Sequence, residues 1–219
     1  MRYTLAEENY LKAIYKLSRS STKGASTNAL ADALEAKASS VTDMLKKLNE
    51  KGLVDHVKYQ GVHLTQEGER VALLTLRKHR LWEVFLVERL NFKWDEVHEI
   101  AEELEHIESK ELINRLDSFL DFPRYDPHGD PIPDKNGKIE HHKDTTLADL
   151  LPGEAGIILG VKEHSPSFLQ YLEKKQLLLG AEVKVLDKFD FDNSISTQIN
   201  NIANTITNQV ASNLFIKRT

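Results

Sequence analysis

Six residues in the middle of this 219-residue chain have the types and spacing to hold a metal ion: His79, Glu83, His98, Glu102, Glu105 and His106. His79 and Glu83 are four residues apart, which puts them one above the other on a helical face. His98, Glu102, Glu105 and His106 fall at i, i+4, i+7 and i+8, within about 100° of helix circumference. A single His–Glu pair at this spacing is ordinarily a solvated ion pair. Six such residues on consecutive helices point instead to a borderline divalent ion such as manganese, iron, cobalt or zinc. With no cysteine in the chain, thiolate zinc fingers, Cys-ligated iron–sulfur clusters, disulfides and thiol nucleophiles are excluded. Any metal site is built from imidazole, carboxylate, amide and backbone groups.

Helices over 66–90, 94–107 and 109–120 must position these donors, because Leu81, Val84, Phe85, Val97, Ile100, Ala101 and Leu104 recur at three- and four-residue intervals. The apolar faces of the last two (Val97, Ile100, Ala101, Leu104, Ile107; Leu112, Ile113, Leu116, Phe119, Leu120) exceed what one short segment can bury. They predict a homodimer.

Ahead of them the spacing predicts a helix over 4–19, a second over Asn28–Leu34 capped by Ser26 or Thr27, and a third opened by Ser39 or Ser40 and closed by Gly52. Two alternating strands around Gln60-Gly61 follow. Two short helices, a tight turn and a hairpin make a winged helix-turn-helix. Lys37, Ser39, Ser40, Thr42 and Asp43 then lie where a recognition helix meets base edges, while Lys46, Lys47 and the wing residues Lys58 and Tyr59 suit phosphates. The net charge of −5 hides an asymmetry: residues 1–73 hold eleven Lys and Arg against nine Asp and Glu, whereas residues 91–123 hold three against ten. Acid gathers on the metal-candidate segment and leaves the first third open to double-stranded DNA.

Residues 121–143 carry four prolines and two glycines and read as a linker. Within it His141-His142, with Asp144, resembles a phosphohydrolase signature that has no other part, so it reads as a polar linker end. From Thr145 alternating β-branched residues and glycines fit a small β-barrel. In the run 192–213, periodicity leaves strand and helix open. The expected fold is mainly α in three parts: residues 1–73 for DNA, 74–143 for metal and dimerisation, 144–219 for the barrel. The absence of an 18-residue apolar run and the charged amphipathic N-terminus predict a cytoplasmic protein with no membrane span. A di-metal carboxylate enzyme would need Glu-x-x-His on two helices, and Glu103-x-x-His106 occurs once. A storage or chaperone role leaves the winged helix without purpose. No enzyme activity and no small-molecule substrate is expected.

LAEENYLKAIYKL, SSVTDMLKKLNEKGLV, KYQGVHLTQEGE, RKHRLWEVFL, VHEIAEELEHIES and PHGDPIP, in order over nearly all of residues 3–133, together resemble the diphtheria-toxin-repressor family of metal-dependent transcriptional regulators. That family includes iron-dependent repressors and manganese transport regulators. LGAEVKVLD is similar to its C-terminal SH3-like domain. The resemblance implies a homodimer with two metal positions per subunit and a metal-dependent grip on an inverted-repeat operator. His79, Glu83 and His98 match the ligands of one position; Glu102, Glu105 and His106 match those of the other. The family completes the second position from the first helix, with Met in iron-type and Asp in manganese-type members. Asn9 stands there and offers an amide oxygen without charge. Lys12 stands where manganese-type members add a Glu, and it cannot ligate while protonated. Position 102 is Cys in iron-type and Glu in manganese-type members, so Glu102 favours the harder ion. His164, beside Glu163, falls at the place of a further ligand to the first position, and the PHG loop offers Asp126 and His128. The implied function is a repressor of metal-uptake genes that answers Mn2+ or, alternatively, Fe2+, with Zn2+ or Co2+ able to substitute in vitro.

Overall fold

A computed structural model describes residues 3–19, 23–57, 61–139, 145–199 and 202–219. The chain forms two compact units, one from residues 1–82, 102–115 and 132–140, the other from 83–101, 116–131 and 141–219.

In the first unit, helices α1 (Leu5–Arg19), α2 (Thr27–Ala33) and α3 (Ala38–Glu50) are followed by an antiparallel hairpin, β1 (Val54–Val57) and β2 (Gly61–Leu64). Val54 pairs with Leu64 and Asp55 with His63. Leu11 and Ile14 of α1, Leu30 of α2, Val41 and Leu48 of α3, and Val62 of β2 are fully or almost fully buried in one core. This is the winged helix-turn-helix that the sequence predicts. The wing residues Lys58 and Tyr59 lie outside the described residues, as do His141, His142 and Asp144. Ser26 caps α2 by accepting from the Ala29 N–H at 3.1 Å. Neither Ser39 nor Ser40 caps α3. The N-cap is Lys37, with no side-chain hydrogen bond, so both serines lie inside the first turn. The helix begins earlier than the small polar residues suggest because Ala38 is a strong helix former. It ends at Gly52, whose φ of +68° only glycine adopts without strain.

A capping box starts α1: Thr4 Oγ1 accepts from the Glu7 N–H at 3.3 Å, and Glu7 Oε2 accepts from the Thr4 N–H at 3.1 Å. The Glu7 side chain is fully buried, with Oε1 2.7 Å from Lys51 Nζ and 3.0 Å from Lys47 Nζ. Burial pushes its pKa up, but hydrogen bonds from Lys51, Lys47 and the Thr4 N–H outweigh it and hold the group at about 2, against 4.5 when free. Glu7 therefore contributes stability above pH 4.5 that is lost as the pH falls towards 2. Glu7→Gln should cost on the order of 2 kcal/mol near pH 6, and the gap to wild type should close through that acid range. Urea unfolding at several pH values measures it, and parallel pH profiles would contradict this role.

Helix α4 (Gln66–Leu90) has its residues up to Trp82 in the first unit and those from Glu83 in the second. Helices α5 (Val97–Leu104) and α6 (Lys110–Phe119) follow. The expected helix 94–107 is shorter at both ends. The Glu96 N–H donates to Lys93 O and the Ile107 N–H to Leu104 O, so tight turns bracket α5 and leave Glu105 and His106 beyond it.

In the second unit, β3 (Ala155–Val161), α7 (Pro166–Lys174), β4 (Glu182–Lys188), β5 (Ile195–Ile199), β6 (Ile202–Ile206), α8 (Asn208–Ala211) and β7 (Leu214–Arg218) follow in order. The strands form one antiparallel sheet in the order β6-β5-β4-β3-β7, with register shifts in β3 and β4. Leu147, Ile158, Leu172, Val183, Val185 and Leu214 are buried in its core. The run that periodicity left open is a hairpin, one helical turn and a strand. Ile195 and Ile199 both point inward, and a spacing of four satisfies either period.

Candidate metal centre

Among the described residues, each unit holds a group of donors within itself. In the first unit, ligand atoms of His79, Glu102 and Glu105 all lie within 4.8 Å of one another. Glu105 is fully buried and central: His79 Nδ1 is 2.8 Å from its Oε2, and His106 Nε2 is 3.6 Å from its Oε1. Helix α1 reaches the same place. Lys12 Nζ donates to Glu102 Oε1 at 2.6 Å and to both oxygens of Glu105 at 2.7 Å. Burial pushes the Glu102 pKa up, but the Lys12 charge and hydrogen bond lead the contributions that bring it below its usual value. Glu8 Oε2 is 2.8 Å from His106 Nδ1, and Glu8 also meets Lys78 at 3.2 Å. A carboxylate can only accept, so Nδ1 carries a proton towards Glu8, and Nε2 is on the Glu105 side of the ring. Asn9 Oδ1 is buried with no hydrogen-bond partner among the described residues.

In the second unit, Glu83, Asp126 and His128 are all buried, with ligand atoms within 4.8 Å of one another. His128 Nδ1 lies 3.8 Å from Glu83 Oε1 and 3.9 Å from Asp126 Oδ1, and His98 Nδ1 is 3.6 Å from Glu83 Oε1. The other ring nitrogen of His128, Nε2, is 2.8 Å from Trp94 O. A carbonyl accepts, so Nε2 carries a proton, and Nδ1, which has no hydrogen-bond partner among the described residues, faces two carboxylates. In the neutral ring its lone pair and the carboxylates repel one another unless a cation lies between. Ligands about 2.1 Å from a shared ion sit roughly 3–4 Å apart, so the donor set fits one.

The PHG loop is held in place by backbone contacts. Asp126 Oδ1 accepts from the N–H groups of His128 and Asp130, and the Val161 N–H donates to His128 O at 2.9 Å. Gly129, at φ +87°, packs so closely on Leu159 and Gly160 that a Cβ would collide with their backbone. His164 stacks on His128 with ring centroids 4.7 Å apart and places Nε2 3.2 Å from Val161 O. Burial leads the lowering of its pKa. It stands against the His128 ring, outside the donor groups found among the described residues.

Sequence reasoning therefore placed Glu102, Glu105 and His106 in one neighbourhood and named Asp126 and His128 only as available donors. It missed Glu8, and it read Lys12 as a residue that could not take part. The signal for Glu8 is its place on α1 one residue from Asn9. His79 and Glu83 lie one turn apart on α4, as their spacing requires. The DNA candidates Lys37, Ser39, Ser40, Thr42, Asp43, Lys46 and Lys47 are all exposed on or beside α3, although Lys47 is engaged by Glu7 and the Thr42 hydroxyl by Ala38 O.

A winged helix whose first helix runs into a buried histidine–carboxylate group defines a DNA-binding module coupled to a metal-type donor set. The matches with known proteins agree. Residues 3–62 match the iron-dependent repressor N-terminal DNA-binding domain, residues 65–134 its metal-binding and dimerisation domain, and residues 145–218 the FeoA domain. The chain is 35% identical to a solved manganese-dependent transcriptional repressor in complex with manganese, with a TM-score of 0.87 over 97% of this chain and 100% of that one. It is 32% identical over 126 residues to the iron-dependent repressor IdeR of Mycobacterium leprae, covering 58% of this chain and 54% of that protein. It is 44% identical over 93 residues to a probable metal transport system membrane protein of Chlamydia trachomatis serovar D, covering 42% of this chain and 20% of that protein. The chain thus spans from a fifth to about half the length of these two relatives. It belongs to the diphtheria-toxin-repressor family of metal-dependent transcriptional regulators, with an SH3-like FeoA domain at its C-terminal end. No helix among the described residues is long and apolar enough to cross a membrane.

Proposed function

We propose that this chain is a cytoplasmic, homodimeric repressor that grips operator DNA when loaded with manganese, ferrous iron being the alternative ion, and so governs genes for metal uptake. One observation carries the reading. The apolar face of α1 lies in the winged-helix core, while Glu8 and Lys12 of the same helix meet His106, Glu102 and Glu105. Whatever neutralises those carboxylates acts directly on the helix that supports α3. Metal that favours the DNA-competent arrangement must then strengthen DNA binding by the same factor that DNA strengthens metal binding.

In this reading Glu102, Glu105, His106 and the Asn9 amide oxygen hold one ion. Glu83, Asp126 and His128 hold the other, joined by His98. Donor sets of oxygen and imidazole without thiolate favour manganese, and Zn2+ or Co2+ would also bind in vitro. Residues 1–73 form the DNA module, 74–143 the metal and dimerisation segment, and 144–219 the C-terminal domain. Leu112, Phe119 and Phe122 are 39%, 59% and 64% exposed in the single chain and suit a two-fold interface, which makes the operator an inverted repeat.

A mobility-shift assay on the protein's own upstream DNA, titrated separately with manganese and ferrous iron under reducing, anaerobic conditions, tests the reading. A shift that neither metal strengthens would overturn it. Lys46, exposed on α3, is a phosphate contact in this account. Lys46→Ala should weaken specific and nonspecific binding alike and flatten the salt dependence by up to about one unit of log–log slope. An unchanged slope takes Lys46 off the phosphate.

A further inference from the structure

We propose that Lys12 is a built-in competitor of the divalent ion at the Glu102–Glu105 pair and sets the metal concentration at which that group fills. The inference rests on the metal-responsive reading above. The ammonium of Lys12 has three N–H donors, and three carboxylate oxygens lie 2.6, 2.7 and 2.7 Å from it. Lys12 is 5% exposed and Glu105 fully buried, so their contact is enclosed, while the Glu102 side chain is 33% exposed. The same oxygens of Glu105 face His79 Nδ1 at 2.8 Å and His106 Nε2 at 3.6 Å. Ion and ammonium therefore compete for the same lone pairs.

Charge decides the outcome. Two carboxylates bring two negative charges, and Lys12 already cancels one of them. A doubly charged ion beside a fixed ammonium meets repulsion that little water is present to screen. Filling the group requires the ammonium to leave, and the four-carbon stem of lysine lets it swing without moving α1. Glu8 lies one turn earlier on the same helix, so a displaced Lys12 stays within reach of a carboxylate. The side chain thus holds the pair together in the absence of metal and raises the concentration needed to replace it.

Calorimetric manganese titration of the full chain, as wild type, Lys12→Met, Lys12→Gln and Glu105→Gln, tests the proposal. The Glu105→Gln protein identifies which binding event belongs to this group. Lys12→Met and Lys12→Gln should bind manganese there at least about tenfold more tightly than wild type, because a like charge has been removed from beside the ion. Their metal-free forms should melt below wild type, and manganese should raise their melting temperatures more. Lys12→Gln keeps a hydrogen-bond donor and serves if Lys12→Met does not fold. Equal or weaker binding by a folded variant overturns the proposal. If neither wild type nor any Lys12 variant takes up manganese at this group, the metal-responsive reading falls, and the proposal with it.

Discussion

Replacing Glu105 by Gln is expected to abolish the metal stimulation of DNA binding, leaving operator affinity in saturating manganese about 10- to 100-fold below that of wild type. The oxygens of Glu105 meet α1 through Lys12, α4 through His79 and its own neighbour His106. Gln keeps the shape but not the charge that a divalent ion needs, and its amide can turn a donor towards it. The substitution also leaves the buried Lys12 ammonium with Glu102 alone of the two carboxylates, which lowers the melting temperature without metal. Fluorescence anisotropy with operator DNA, below the melting temperature of the variant, reads the effect. Undiminished manganese stimulation would mean that Glu105 holds Lys12 and nothing more.

A second large effect is expected at His128. His128→Ala removes the nitrogen that faces Glu83 and Asp126, so the protein should bind one fewer manganese ion per subunit. At a metal concentration one hundredfold above the dissociation constant, about 2.7 kcal/mol of metal-dependent stabilisation disappears with it. DNA binding should persist in weakened form, because the group that touches α1 is intact. Metal counting by plasma mass spectrometry and melting curves with and without manganese measure both effects. An unchanged metal count would show that His128 is held by Trp94 O for structural reasons alone.

Much of this architecture is legible in the sequence because periodicity reports on buried faces. The recurrence of Leu11 and Ile14 sets out the first helix of the DNA module, capping residues and Gly52 mark the next two, and the hairpin follows from its alternation. Local end effects are harder to read. Lys37 rather than Ser39 starts α3, since Ala38 is already a good helix former, and Glu105 and His106 fall beyond α5, where a tight turn takes over. Helical spacing therefore brings Glu105 to Glu102 by a geometry that is not a helix all the way.

Long-range placement is harder still. Asp126 and His128 lie more than forty residues from Glu83, and only the loop formed by Asp126, Gly129 and the β3 backbone brings them to it. Lys12 shows the opposite difficulty. Its charge rules it out as a ligand, yet that same charge places it against Glu102 and Glu105.

The most direct test of the account is a calorimetric manganese titration with and without saturating operator duplex. If metal and DNA act through α1, manganese affinity should rise in the presence of DNA by the same factor by which manganese raises DNA affinity, about 10- to 100-fold. Identical manganese affinities with and without DNA would contradict the coupling, whatever the metal and whatever the operator.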